Sequence, residues 1–325
     1  MNILLIGAGR MAQRHLQGLN ELEGSIIVVE PRKEAEKELR KIVDQFGVKA
    51  EISFYTSFEC IPENFKFDGA ILSATANGRL ERLKQVIDIG VKNVLIEKPL
   101  EQSRKRVLEL NKLAQQNALN IKCNHYHRTL PFYTDLRNQG GPFHITITGG
   151  AYGLACNGVH WLDLSSYLTG NRHAKLLFGE IDSNLINSGR GKNFKDLGGR
   201  GFYLFDDNSR LYLNCIADSS APMSLIITKI PNKQYIIDRK EDIVTVYERD
   251  EKSKRLPNYL YGVDYCRSEI KGIETIPLWE NTRSWLRSII GNGTCHLPNL
   301  ADALIGHELL FDLLEITGKT EFPIT

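Results

Sequence analysis

Charge of one sign, long apolar runs and paired cysteines are all scarce in this chain of 325 residues. Lysine plus arginine and aspartate plus glutamate nearly balance, for a formal charge of +2. The bases are interleaved with acids, so there is no electrostatic footprint for nucleic acid. No apolar run approaches the ~18 residues that a membrane span needs. The first residues already read as a strand, so no signal peptide is expected and the cytoplasm is the expected compartment. The six cysteines, Cys60, Cys123, Cys156, Cys215, Cys266 and Cys295, stand far apart, without a C-x-x-C pair or histidines at metal spacing. They read as reduced, structural thiols, and no metal site is expected. Repeats, low-complexity tracts and long linkers are missing too.

What is present is ordinary in amount and informative in order. Hydrophobic residues make up 42% and charged residues 25%, as in a protein with a substantial core, and the length makes two domains the default. Short apolar strands at 3–6, 25–29, 68–73, 94–97 and 120–123 alternate with helical stretches at about 11–19, 32–46, 79–89 and 103–117. That alternation specifies βαβ units and a doubly wound parallel sheet. Beyond residue 131 the pattern changes to strands at 143–149, 201–205, 210–216, 223–229, 234–238 and 243–249, joined by short turns at 206–209 and 231–233. Short connections mean antiparallel neighbours. Helices at about 158–168, 279–291 and 299–317 should cover one face of that sheet. The expectation is an α/β chain: a Rossmann domain over 1–122 and a second α/β domain with an open, mainly antiparallel sheet over 123–325.

The strand at 3–6 runs into Gly7-Ala8-Gly9-Arg10-Met11-Ala12 and then a helix. Gly7 permits the tight turn, Gly9 lets backbone approach a pyrophosphate, and Ala12 allows close helix–strand packing. Ala8, Arg10 and Met11 would present backbone amides at the helix N-terminus, where the dipole favours an anion. Glu30 ends the next strand, twenty-one positions beyond Gly9. A carboxylate there accepts bonds from ribose hydroxyls and repels a 2′-phosphate, which favours NAD over NADP. Arg32 leaves NADP open, since it can pair with that phosphate if Glu30 swings aside. Glu30 as a plain surface acid and Arg32 as the first solvated charge of a helix are the blander readings.

A second apolar strand delivers Glu97-Lys98-Pro99 at its carboxyl end, the edge of a doubly wound sheet where ligands bind. Proline keeps Lys98 out of helical geometry, and the Lys98-Pro99 bond is a candidate for cis. An ammonium there can bond a substrate hydroxyl or carbonyl and help move its proton. Taken alone, the tripeptide is better read as an exposed lysine after a strand; beside the glycine turn the functional reading takes precedence.

With these segments the chain resembles the glucose-fructose oxidoreductase and inositol dehydrogenase (Gfo/Idh/MocA) family. The resemblance is carried by the glycine turn with His15, by Glu97-Lys98-Pro99, by Arg128-x-x-Pro131, by Gly158-Val159-His160-Trp161-Leu162-Asp163 and by the closing helices. It implies a Rossmann domain followed by a domain whose open sheet mediates oligomers, here a homodimer or homotetramer. It also implies oxidation of a sugar or cyclitol hydroxyl, or the reverse, with NAD or NADP. Thr75, Asn77, Glu97 and Lys98 join the cofactor residues on the same ground, and the partner is a small carbohydrate-like substrate.

His160 is the natural partner of Lys98 in such chemistry, the two converging at one cleft. Asn157 can cap the helix that starts near Gly158, placing His160 in its first turn and Asp163 one turn on. The helix end disfavours an imidazolium and a carboxylate favours it, which can hold the pKa near working pH. A capping or packing role is the plainer alternative. Tyr126 and Arg128 can line the pocket with a hydroxyl and an anion grip, and alternation should point His125 and His127 away from Tyr126. Asn157 and Asp163 complete the candidate substrate residues.

Three departures from the family bear on the substrate. Cys156 stands where many members carry an aspartate, a tryptophan-containing loop is missing before it, and Leu80 replaces a histidine. The stretch 187–201, with Arg190, Lys192, Lys195 and Arg200, reads as a loop that covers an anionic substrate, or as a solvated loop or oligomer contact. Three functions therefore stand: an oxidoreductase using Lys98 and His160, a dinucleotide-sensing regulator without turnover, and a lyase or glycosidase that uses NAD transiently.

Overall fold

The computed structural model describes residues 1–170, 174–189, 193–259, 264–273 and 276–325. The chain forms two compact units, one of Met1–Tyr126 with Pro277–Leu304 and Glu321–Thr325, the other of His127–Ile276 with Ile305–Thr320. The expected cut at 122/123 therefore falls slightly early, and two later segments return to the first unit.

The first unit holds six parallel strands: β1 Asn2–Ile6, β2 Ser25–Val29, β3 Glu51–Tyr55, β4 Gly69–Leu72, β5 Asn93–Ile96 and β6 Asn120–Cys123. Their order is β3-β2-β1-β4-β5-β6. Strands β1, β2, β4 and β5 are almost wholly apolar and buried, as central strands covered on both faces must be. Strand β3 carries little signal in the sequence: as an edge strand it is only partly buried, and its Glu-Ile-Ser-Phe-Tyr run is short. Register aligns the strand ends, pairing Ile6 with Val29 and Leu72, Leu72 with Ile96, and Ile96 with Cys123. Gly7, Glu30, Ser73, Glu97 and Asn124 consequently leave the sheet at one edge.

Helices α1 Arg10–Gly18, α2 Glu34–Phe46, α3 Arg79–Asp88 and α4 Arg104–Gln116 connect these strands. In the second unit and beyond, α5 is Pro131–Gln139, α6 Gly158–Thr169, α7 Glu280–Ile289 and α8 Leu300–Leu314. Helix α7 does not cover the antiparallel sheet as expected; it belongs to the first unit. Gly18 is what lets it approach, because a Cβ there would lie 2.4 Å from Trp279 O and 2.7 Å from Thr282 Cβ. Trp285 of α7 is fully buried and fills the space above Gly69.

The second unit is built on eight strands: β7 Phe143–Gly150, β8 Ala174–Asn187, β9 Lys195–Phe205, β10 Arg210–Ile216, β11 Ser224–Lys229, β12 Lys233–Asp238, β13 Ile243–Glu248 and β14 Cys266–Lys271. The order is β14-β13-β12-β11-β7-β10-β9-β8, antiparallel except for the β7/β10 pair. Strands β8 and β14 lie at the edges and are mostly exposed, so neither shows the alternation that marks a half-buried strand. Helix α5 is equally silent, announced only by Pro131 in its first turn. Along the central strands one set of side chains is buried and the other faces out. The outward row includes Phe202, Tyr212, Ile226 and Ile236, in register or one strand removed from it across Thr146. Among the described residues no helix is long and apolar enough to cross a membrane.

Candidate active site

In the first unit the glycine turn behaves as its spacing requires. Gly7 has φ +91°, and a Cβ there would meet Ala74 N at 2.7 Å. Gly9 is extended, and a Cβ on it would meet nothing within 4 Å. Open space lies over that backbone, in front of an α1 N-terminus with neither a capping side chain nor an acid in its first turn. The first amides of a helix have no partners within it, so this end suits a diphosphate. Arg10 is exposed and Met11 half-buried beside it.

Glu30 sits at the end of β2 with its carboxylate already engaged. Oε2 accepts from the Ala8 amide at 2.8 Å, and Oε1 accepts from Arg32 N at 3.1 Å and Nε at 2.8 Å. Burial opposes ionisation, but these bonds outweigh it and hold the carboxyl below its usual range. Glu30 thus ties the glycine turn to the end of β2, while Arg32 stays 62% exposed at the rim. After β4, Thr75 is half-buried and Asn77 exposed.

Lys98 follows β5, only 8% exposed, across a cis bond to Pro99. Glu97, expected at the cofactor, turns its carboxylate inward. Its Oε1 lies 3.2 Å from His15 Nε2 and accepts from Asn124 Nδ2 at 2.6 Å. His15 Nδ1 in turn meets Thr282 Oγ1 at 2.7 Å, and Asn281 Nδ2 donates to Asn124 Oδ1 at 3.2 Å. All five are buried, so α1, α7 and the ends of β5 and β6 are bound by one polar chain. Burial disfavours a charged Glu97, yet His15 and Asn124 bring its pKa below the ordinary value.

Arg79 gives no sign of its role in the sequence. It is fully buried at the start of α3 and donates to the carbonyls of Glu97, Pro99 and, at 2.5 Å, Ala74. One guanidinium therefore fixes the loops after both β4 and β5. Burial pulls its pKa down to about 10, opposed by Glu97. The first unit's final segment joins this edge, where Thr325 Oγ1 accepts from Ala76 N at 3.0 Å.

In the second unit α6 starts at Gly158 with Asn157 at the capping position, but the expected side-chain cap is absent. Asn157 Nδ2 donates instead to Tyr152 O at 2.5 Å. His160 lies in the first turn, half-buried, its amide donating to Asn157 O at 3.1 Å. His127 meets the His160 ring edge-on at 5.4 Å and stacks on Trp161 at 4.2 Å. A 3-10 turn at His127–Thr129 breaks the alternation expected there, and His125, Tyr126 and His127 are all buried. Arg128 and Asp163, expected to hold substrate, hold each other: Nε to Oδ2 is 3.0 Å in a buried pair, with the guanidinium also over the Tyr167 ring. The pair locks α6 to the turn before α5. Gly306 brings α8 against the same point, since a Cβ there would lie 3.0 Å from Asp163 N.

The stretch 187–201 is not one loop, because β9 begins at Lys195, and Arg200 pairs with Glu180 across the β8/β9 ladder at 2.9 Å. Arg190 and Lys192 lie outside the described residues.

A six-stranded 3-2-1-4-5-6 sheet, an uncapped glycine turn and an acid after β2 define a dinucleotide-binding Rossmann unit. Residues 1–125 match the model of the Gfo/Idh/MocA family, described as an oxidoreductase family with an NAD-binding Rossmann fold. Solved structures share the fold over nearly the whole chain. UDP-N-acetylglucosamine 3-dehydrogenase from Acidithiobacillus ferrooxidans matches at TM-score 0.68 and 15% identity, covering 97% of this chain and 96% of its own. A dehydrogenase from Clostridium difficile gives 0.71 and 16%, covering 97% and 99%. An oxidoreductase from Agrobacterium radiobacter, solved with NAD+, L-tartaric acid and magnesium, gives 0.68 and 12%, covering 99% and 98%. No curated protein matches the chain in sequence.

Proposed function

We propose that the chain is an NAD-dependent oxidoreductase that interconverts a hydroxyl and a carbonyl on a sugar, cyclitol or nucleotide-sugar. The observation that carries this reading is one edge of the first sheet, where the open backbone at Gly9, the carboxylate of Glu30 and the buried Lys98 follow the ends of parallel strands β1, β2 and β5. The residues fit the cofactor: the Gly9–Met11 amides for the diphosphate, Glu30 for the adenosine ribose, Thr75 and Asn77 at the rim. Bound NAD would supply a hydride acceptor or donor at its nicotinamide.

Lys98 and His160 handle the hydroxyl proton. Lys98 donates to the reacting oxygen, and Arg79 and the Glu97 chain keep the backbone that carries it from shifting. His160 acts as acid or base from the first turn of α6, where the helix dipole disfavours an added positive charge. Carbohydrate substrates are supported by the family resemblance and by the nucleotide-sugar dehydrogenase among the structures of the same fold. We infer also that a second copy of the chain covers the outward row of Phe202, Tyr212, Ile226 and Ile236, and sedimentation at graded concentration tests it.

The deciding experiment screens sugars, cyclitols, sugar acids and nucleotide-sugars by NADH absorbance, then repeats the productive reaction with Lys98→Met and His160→Ala. Each variant should lose roughly 10²–10⁴-fold in turnover with NAD affinity nearly intact. The two losses should combine less than additively if they serve one proton transfer. Tight NAD binding with no turnover on the panel, and activity gained by Cys156→Asp, would make the regulator the better reading.

A further inference from the structure

We propose that Asp196 is the positioning residue for the His160 end of the reaction, acting through the turn at 150–157; this rests on the oxidoreductase reading. Asp196 is the second residue of β9 and only 3% exposed, its carboxylate turned to backbone amides. Oδ1 accepts from Ala155 N at 2.9 Å and from Leu197 N at 2.8 Å, and Oδ2 accepts from Cys156 N at 3.1 Å. The next residue adds to the grip, since Leu197 O accepts from Leu154 N at 3.0 Å. Three consecutive residues before α6 are therefore suspended from β9.

The turn is shaped around that carboxylate. Gly153 has φ +85°, and a Cβ there would lie 2.4 Å from Asp196 Oδ2. From Gly153 the bonding passes into the helix: its carbonyl accepts from Asn157 N at 2.9 Å and Gly158 N at 3.1 Å, and Asn157 O accepts from His160 N. Asp196 thereby sets the backbone from which His160 departs. A carboxylate is suited to this, because three amides converge on two oxygens and charge-assisted bonds are the strong ones.

Asp196→Asn tests the idea on the full chain. The variant keeps the side-chain size and can keep the oxygen that serves Ala155 and Leu197, but sets an NH2 group against the Cys156 amide. Hydrogen exchange followed by mass spectrometry should show faster exchange over 154–160 while β9 and β10 stay protected. On the substrate found for the wild type, kcat should fall roughly 10–10²-fold, the effect of a misplaced group, with KM and NADH affinity unchanged. Asp196→Ser, smaller and retaining one acceptor, gives the same readouts should the Asn variant not fold. Unchanged exchange over 154–160, or loosening with wild-type kcat, overturns the proposal. The exchange measurement needs no substrate, so absence of turnover in the wild type would overturn the oxidoreductase reading and leave the positioning itself to be judged by exchange.

Discussion

Gly7→Ala and Gly9→Ala differ by two positions and should fail in opposite ways. At Gly7 the backbone has φ +91°, and the added methyl would lie 2.7 Å from Ala74 N and 2.8 Å from its Cα. The left-handed backbone costs about 1–2 kcal/mol, and forcing a methyl into closed packing costs about 1–3 kcal/mol more. Taken together, the loss is roughly 2–5 kcal/mol, a large share of the ~5–15 kcal/mol that holds a domain folded. In a unit of ordinary size each kcal/mol moves Tm by about 2–4 °C. Gly9 is extended with open space before it, so the same methyl should leave the melting curve unchanged. It stands instead where a diphosphate would lie, and should weaken NADH binding by about tenfold or more, at least 1.4 kcal/mol. Calorimetric melts of the apoprotein and NADH fluorescence titrations separate the two effects. Equal loss of Tm in both variants, or wild-type NADH affinity in Gly9→Ala, would refute the reasoning.

Glu30→Ala should release Arg32 and shift the NADPH-to-NADH affinity ratio upward by about tenfold or more, measured by paired titrations; tighter NADPH binding by the wild type would move the adenosine role to Arg32 at once. Arg128→Met should destabilise the second unit by about 3–5 kcal/mol, because Asp163 is left charged in the interior, and Arg128→Met with Asp163→Leu should restore most of it. Urea titrations that find the double variant as weak as the single one would contradict this. Glu97 has a pKa below its ordinary value of about 4.3, so its contribution to stability is complete above that pH and lost as pH falls through the folded value. The stability gap between wild type and Glu97→Gln should therefore be largest near neutrality and close on acidification, and a gap constant down to pH 3 would count against an ionised Glu97.

The Rossmann half was legible because its information is local. Buried parallel strands read as apolar runs, and the glycine turn and Glu30 sit at spacings set by one βαβ unit. Lys98 was legible for the same reason: a strand end followed by proline fixes its address without any distant partner. Edge elements were not. Strands β3, β8 and β14 bury too little to leave a period of two, and α5 is short with only Tyr133 and Leu136 facing inward.

By itself the sequence determined the sheet order's raw material, the glycine turn after β1, and the places of Lys98 just after β5 and His160 in the first turn of α6, since each depends on residues within one unit of local structure. Tertiary packing alone decided which polar groups are consumed inside. Thr282 reaches His15 across 267 positions, Asp196 reaches Cys156 across 40, and Arg128 closes on Asp163. Hydrophobic periodicity says which side of an element is buried but not what is buried against it, and a hydrogen bond depends on the partner within 3 Å. Hence the chain's periodic residues could be assigned from order alone, whereas its carboxylates and guanidinium groups acquired their roles only when the helices and strands came together.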